Sequence, residues 1–185
     1  MRKLLAIIGL SLGAFFCITQ AEAQENYKAL NIGLGVGGQS GYTRYANRVV
    51  PVFNMNYEFD VARNFTLAPF ISFYTYSDSY YWSNDNYTYR ETVIPVGLKG
   101  SYYFDELLSA NSKWDFYAAA SAGFAIVNSR WEAGYGGDRN YFNGGRSLFL
   151  DLHAGAQYNF SRTAGVYLDL SSGVSTIGLA FYQSR

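Results

Sequence analysis

Cysteine, histidine and proline are nearly missing from this chain, which holds one Cys, one His and three Pro in 185 residues. Cys17 lies inside an N-terminal apolar run, so the rest of the chain carries no disulfide, thiol nucleophile or thiolate ligand. It follows Ala14-Phe15-Phe16 rather than the small residues of a lipidation site. One histidine, His153, is too few for a zinc site, and nothing calls for a cofactor. Charged residues are scarce at 15 % and the formal net charge is zero, which leaves no basic footprint for nucleic acid. The only long apolar run, Leu4 to Phe16, falls short of the roughly 20 residues a membrane helix needs. A helical membrane protein is excluded. A membrane-spanning set of strands, whose per-segment signal is weaker, is not.

What the chain has instead is a leader and many aromatics. Arg2-Lys3, the apolar run and Ala21-Glu22-Ala23 are the three regions of a secretory signal peptide, so residues 1–23 are expected to be removed and 24–185 to form one domain. There are 18 Tyr, 14 Phe and 3 Trp. They fall on a two-residue period, most clearly from Leu148 to Phe160, where every even position is apolar or aromatic and Asp151, His153, Gln157 and Asn159 lie between them. That exceeds an ordinary globular strand of about 5–6 residues and suits a tilted bilayer-crossing strand of roughly 9–11.

Seven further segments alternate in the same way. They are Leu30 to Gly37, Pro51 to Phe59, Phe65 to Tyr74, Thr92 to Phe104, Asp115 to Ile126, Val166 to Ser171 and Ile177 to Tyr182. The alanine run in the fifth strand also fits a helix, but Gly123 and the flanking aromatics favour a strand. Between the segments lie a polar loop from Gly38 to Arg48, a tight turn at Asp60 to Asn64, a tyrosine-rich loop from Tyr74 to Tyr89, a moderate connection from Asp105 to Lys113, a glycine-containing loop from Asn128 to Ser147, and turns at Ser161 to Ala164 and Ser172-Gly173. The expected fold is all-β, an eight-stranded antiparallel up-and-down transmembrane β-barrel, with the short connections on the periplasmic side.

A soluble lipocalin-like barrel would show the same parity with its faces exchanged. Here one face is small and polar, rich in Gly, Ser, Asn and acidic residues, as a narrow lumen requires. The other is aliphatic, with aromatics near the strand ends (Phe53 and Phe59, Phe65 and Phe73, Tyr102 and Phe104, Tyr158 and Phe160), as an interfacial girdle requires. The membrane arrangement is therefore expected.

The segments Gly155 to Phe160, Gly165 to Asp169 and Gly178 to Phe181 resemble the small outer-membrane β-barrel family, that of OmpX and the OmpA transmembrane domain, across nearly the whole mature chain. The resemblance implies residence in a bacterial outer membrane, contact with its lipid and lipopolysaccharide, and insertion by the barrel-assembly machinery. Members of that family commonly end on an aromatic residue, whereas Phe181-Tyr182 is followed here by Gln183-Ser184-Arg185. On activity the resemblance is nearly silent.

Six charged or titratable residues share the inward parity: Glu58, Lys99, Asp115, Asp151, His153 and Asp169. Lys99, Asp151, His153 and Asp169 are expected near mid-barrel, with Glu58 and Asp115 towards the periplasmic end. Charges in a narrow lumen must pair, so a structural plug is the first reading, and a path for protons or small ions is the second. His153, Asp169 and Ser121 or Ser171 also compose a weak nucleophilic triad. An enzyme acting on lipid A would have to present its catalytic group to lipid, and His153 points to the lumen, so no enzymatic role is expected. The candidate contact surface lies on the outer loops, at Tyr80, Tyr81, Trp82, Tyr87, Trp131, Tyr135 and Tyr141, where aromatics among Ser and Asn could meet an extracellular glycan or protein. Its alternative is a hairpin carried above the membrane with an aromatic girdle. Gly134-Tyr135-Gly136-Gly137 does not join a strand to a helix and is no phosphate loop.

Overall fold

The computed structural model describes residues 28–37, 50–82, 85–104, 113–136 and 148–183. The leader, the loop at 38–49 and the glycine-rich stretch from 137, Tyr141 included, lie outside them. Eight strands follow in order: β1 (Lys28–Gly37), β2 (Val50–Ala62), β3 (Phe65–Trp82), β4 (Asp85–Tyr103), β5 (Trp114–Trp131), β6 (Leu148–Asn159), β7 (Ala164–Ser171) and β8 (Val174–Tyr182). Each pairs antiparallel with the next, and β8 closes the barrel on β1 from Ala29↔Tyr182 to Gly37↔Val174. No edge remains along the closed part, so every strand there has its ladder bonds on both sides.

The two-residue period decides which face is which. Leu152 is 69 % exposed while Asp151 beside it is 3 % exposed. The outer wall carries Leu34, Met55, Ile71, Leu98, Phe124, Leu150, Leu168 and Ile177, and the polar set faces inward. An apolar outer wall on a closed barrel belongs in lipid, so the lipocalin arrangement is excluded. At the end holding the termini, Trp114 stacks on Phe116 with centroids 6.0 Å apart and packs on Tyr158 at 4.9 Å, which begins an aromatic belt at one interface.

Two features differ from the sequence expectation. The tyrosine-rich stretch from Tyr74 to Tyr89 is not a loop. It is a hairpin, with β3 and β4 paired continuously from Tyr74↔Val93 to Trp82↔Asp85. Tyr and Thr are good strand formers, and here pairing outlasts the apolar belt because polar outward residues such as Ser77 and Thr88 suit water. Likewise β5 runs on to Trp131, where a loop was expected from Asn128. Among the described residues three strands thus rise above the rest, since β6 is described from Leu148, opposite Phe124, and β7 turns into β8 at 172–173. From Ile94, the last apolar outward residue of β4, to Asp85 the strand runs on for about 30 Å, a rise of roughly 23 Å at a tilt of about 40°.

Candidate functional site: the filled lumen and the raised hairpin

Inside the barrel, register brings together residues far apart in sequence. Lys99 of β4, Ser121 of β5 and Asp151 of β6 lie in one ladder row, and His153 and Asp169 sit just towards the terminal end. Lys99 Nζ donates to Asp169 Oδ2 at 2.7 Å, and the Tyr117 hydroxyl donates to the same oxygen at 2.8 Å. The other oxygen, Oδ1, lies 2.7 Å from His153 Nδ1, and His153 Nε2 lies 2.9 Å from Ser121 Oγ. With Asp169 accepting, the ring proton belongs on Nδ1 and Nε2 accepts from the serine hydroxyl. Lys99 also lies over the Tyr117 ring at 4.8 Å.

Tyr117 fits because of Gly155, its cross-strand neighbour. A Cβ at Gly155 would lie 2.0 Å from Tyr117 Cζ, so only glycine lets the ring lie flat on β6.

The six inward residues do not form one network. Lys99, His153 and Asp169 are joined directly. Asp151 stands 3.9 Å from His153 Nε2 and is spent on the β7–β8 turn, accepting from Ser171 Oγ, Ser172 Oγ and the Val174 N–H. Ser171 is therefore not the triad serine. Glu58 is held apart by Asn31, Thr66 and Tyr103, and Asp115 by Gln157 and Asn159. Parity puts Tyr117, Asn31, Asn56 and Thr66 on the inward face as well, but a selection by charge alone passes over them as members of these clusters. For Tyr117 the further signal was a large polar side chain opposite a glycine, Gly155.

The row Ser121–His153–Asp169 has the distances of an acyl-transfer relay, but the space around it does not suit one. The cavity beside it, lined by Asn54, Ser72, Lys99 and Ser121 among others, holds about 20 Å³, room for about one water molecule. Phe70 and Phe149 reach into the same cavity and meet with centroids 5.5 Å apart. They lie at the two ends of one row, Phe70–Gly97–Gly123–Phe149, and at its two central glycines a Cβ would lie only 2.2 and 2.0 Å from carbonyl oxygens of the adjoining strand. Among the described residues no group of three or more metal-ligating side chains occurs.

Of the loop surface, Tyr81 is exposed, while the side chains of Tyr80 and Trp82 and all of Tyr141 lie outside the described residues. The others are not an exposed surface: Tyr135 is buried and Tyr87 and Trp131 are half-buried, in a ladder that runs on to the buried Tyr89 and Tyr76. Tyr87 packs edge-on against Tyr135 at 5.4 Å, Tyr135 stacks on Trp131 at 4.0 Å, Trp131 packs on Tyr89 at 4.9 Å, and Tyr89 on Tyr76 at 6.2 Å. Gly134, at φ 95°, makes the reversal that folds Tyr135 back on the sheet, a conformation that resists a Cβ. Beside the ladder, burial raises the pKa of the Glu91 carboxyl although Tyr89 and Ser129 bond to it, and the Thr88 N–H lowers that of the exposed Glu132.

No known protein family model and no curated protein matches the chain. Among solved structures it is similar to Ail, the attachment invasion locus protein of Yersinia pestis, in complex with the heparin analogue sucrose octasulfate. That match has 14 % identity, a TM-score of 0.50, and covers 86 % of this chain and 100 % of Ail. The N-terminal β-barrel domain of Pseudomonas aeruginosa OprF matches at 11 % identity and TM-score 0.46 over 88 % of this chain and 100 % of that one. Neisserial surface protein A matches at 10 % and 0.45 over 84 % and 95 %. A closed eight-stranded barrel with an aliphatic outer wall and a packed polar interior has the architecture of the small outer-membrane β-barrels, and the outer membrane is where such a barrel resides.

Proposed function

We propose that this outer-membrane barrel is not an enzyme and works at the cell surface, through the raised sheet of β3, β4 and β5, by binding an extracellular glycan or protein. The observation that carries the reading is the contrast between the middle of the lumen, where Phe70 meets Phe149 and the cavity beside them holds about one water molecule, and, among the described residues, an extension of β3, β4 and β5 stiffened by stacked aromatics and carrying the exposed Tyr81. Strands that span a bilayer need no such extension. A rigid aromatic surface on a fixed scaffold is what sugar rings and partner proteins stack against, because aromatics supply area at low entropic cost. Ail, the structural neighbour solved with a heparin analogue, makes a sulfated glycan the first ligand to try.

The test is to replace residues 79–88 by a two-residue turn, which leaves Ser77 and Arg90 in place, and compare binding of cells carrying either form to a glycan array and to host-matrix proteins. Binding lost with the hairpin, in a barrel that still shifts on unheated gels, supports the reading. Equal binding by both forms refutes it. The narrow-channel alternative predicts single-channel events from the wild type in planar bilayers, against which the Phe70–Phe149 contact argues. The lipid A-modifying alternative predicts new lipid A masses on overexpression, against which the closed surroundings of Ser121 argue.

A further inference from the structure

On the outer wall, Arg90 of β4 and Arg130 of β5 stand directly opposite each other in the ladder, both exposed. Such positions bring Cβ atoms within about 4.5–5.5 Å, and like charges so placed repel. Neither guanidinium has a hydrogen-bond or ion-pair partner among the described residues. Two described carboxylates near them in sequence have other partners. Glu91 faces the other way, onto Tyr89 and Ser129, and Glu132 accepts from the Thr88 N–H. Ser77 of β3 extends the row on its far side, opposite Arg90.

Height fixes what could relieve this repulsion. Below the arginines the outward row passes through Thr92 and Asn128 to Ile94 and Ile126, where the apolar wall begins. Four residues along a strand tilted by about 40° correspond to roughly 10 Å along the membrane normal. That is the layer of polar headgroups, and the aliphatic stems of arginine can bring the charges further down into it.

We propose that Arg90 and Arg130 form a clamp for the phosphate of an outer-leaflet lipid headgroup, with the Ser77 hydroxyl as a further donor. Two guanidinium forks suit a tetrahedral oxyanion better than two ammonium groups would, because each can present a pair of parallel N–H bonds. A lipid is the source, rather than a soluble anion, because the row continues the lipid-facing wall and lies well below the hairpin tip. The inference rests on the membrane-barrel reading and on no assumption about what the tip binds.

The experiment is native mass spectrometry of the full refolded protein titrated with bisphosphorylated lipid A and with the same lipid stripped of phosphate. The proteins are the wild type, R90Q, R130Q, R90Q/R130Q, and K28Q/R162Q, which removes two exposed cations from the opposite end. The wild type and the opposite-end control should prefer the phosphorylated lipid by tenfold or more. Each single variant should lose about fivefold, the equivalent of about 1 kcal/mol per arginine at an anionic surface, and the double variant should lose the preference. A double variant that keeps the preference overturns the clamp. So does arginine-dependent binding of sucrose octasulfate without lipid discrimination, which would make the row a site for soluble polyanions. If the wild type shows no heat-dependent gel shift, the barrel reading itself fails. The shift intact with no lipid preference means the clamp alone is wrong.

Discussion

Lys99→Met is the sharpest test of the buried network. The Lys99 and Asp169 side chains are 8 % and 4 % exposed, with the ammonium and carboxylate 2.7 Å apart. At an effective dielectric constant of about 20 their attraction is about 6 kcal/mol. Removing Lys99 does not strand the carboxylate entirely, because His153 and Tyr117 still bond to it, so part of that energy is retained. The loss of the contact over the Tyr117 ring adds about 1 kcal/mol. The net expectation is about 3–5 kcal/mol of lost stability, in line with breaking one partner of a buried pair. Urea unfolding in lipid vesicles, followed by tyrosine and tryptophan fluorescence and by gel shift, measures it. The double variant Lys99→Met/Asp169→Asn should be more stable than the sum of its singles by at least about 2 kcal/mol, since no charge is then left unpaired. A single variant within about 1 kcal/mol of the wild type, or a strictly additive pair, would refute the claim that this ion pair organises the lumen.

Other outcomes follow from the same geometry. Gly155→Val drives a side chain into the Tyr117 ring and should cost about 2–3 kcal/mol in the same unfolding assay, while Tyr117→Ala in that background should recover part of it. Phe70→Ala with Phe149→Ala clears the ring contact in the middle of the lumen and should give planar bilayers small single-channel events absent from the wild type. Glu91 has its folded pKa raised by burial, so its contribution to the hairpin is full below the ordinary glutamate value and is lost as pH rises through the folded value. Amide exchange near Glu91 should quicken from pH 4 to 8, relative to the intrinsic rate, and Glu91→Gln should flatten the trend. Gly134→Val should unstack Tyr135 from Trp131 and lower binding at the tip without changing the barrel's gel shift.

Parity along each strand was legible because a closed barrel with unlike faces leaves no other placement for Asp151 beside Leu152. A one-residue slip would expose every polar side chain to lipid. Partners across strands were not legible in the same way. Both Ser121 and Ser171 lie on the inward parity, and only the register between β5 and β6 puts Ser121 on His153 while the β7–β8 turn takes Ser171 for Asp151. The stretch from Tyr74 to Tyr89 misled for a different reason. Above the bilayer both faces meet water or each other, so the contrast between apolar and polar positions that marks a strand fades while its hydrogen bonds continue.

The same reasoning locates the work of the molecule. Glycines on the inner face do two separate things here. Gly155 yields its volume to Tyr117, which then satisfies Asp169. Gly97 and Gly123 instead let the backbones of β4 and β5 approach so closely that a Cβ on either would lie 2.2 or 2.0 Å from a carbonyl oxygen of the other strand. Tyr117 at one level and Phe70 with Phe149 at another fill the middle of the lumen, and the cavity beside them holds about 20 Å³. A barrel selected to conduct would leave that middle open. A barrel selected as a rigid mount would fill it, and would place Arg90 and Arg130 on the side that lipid and the outside medium can reach.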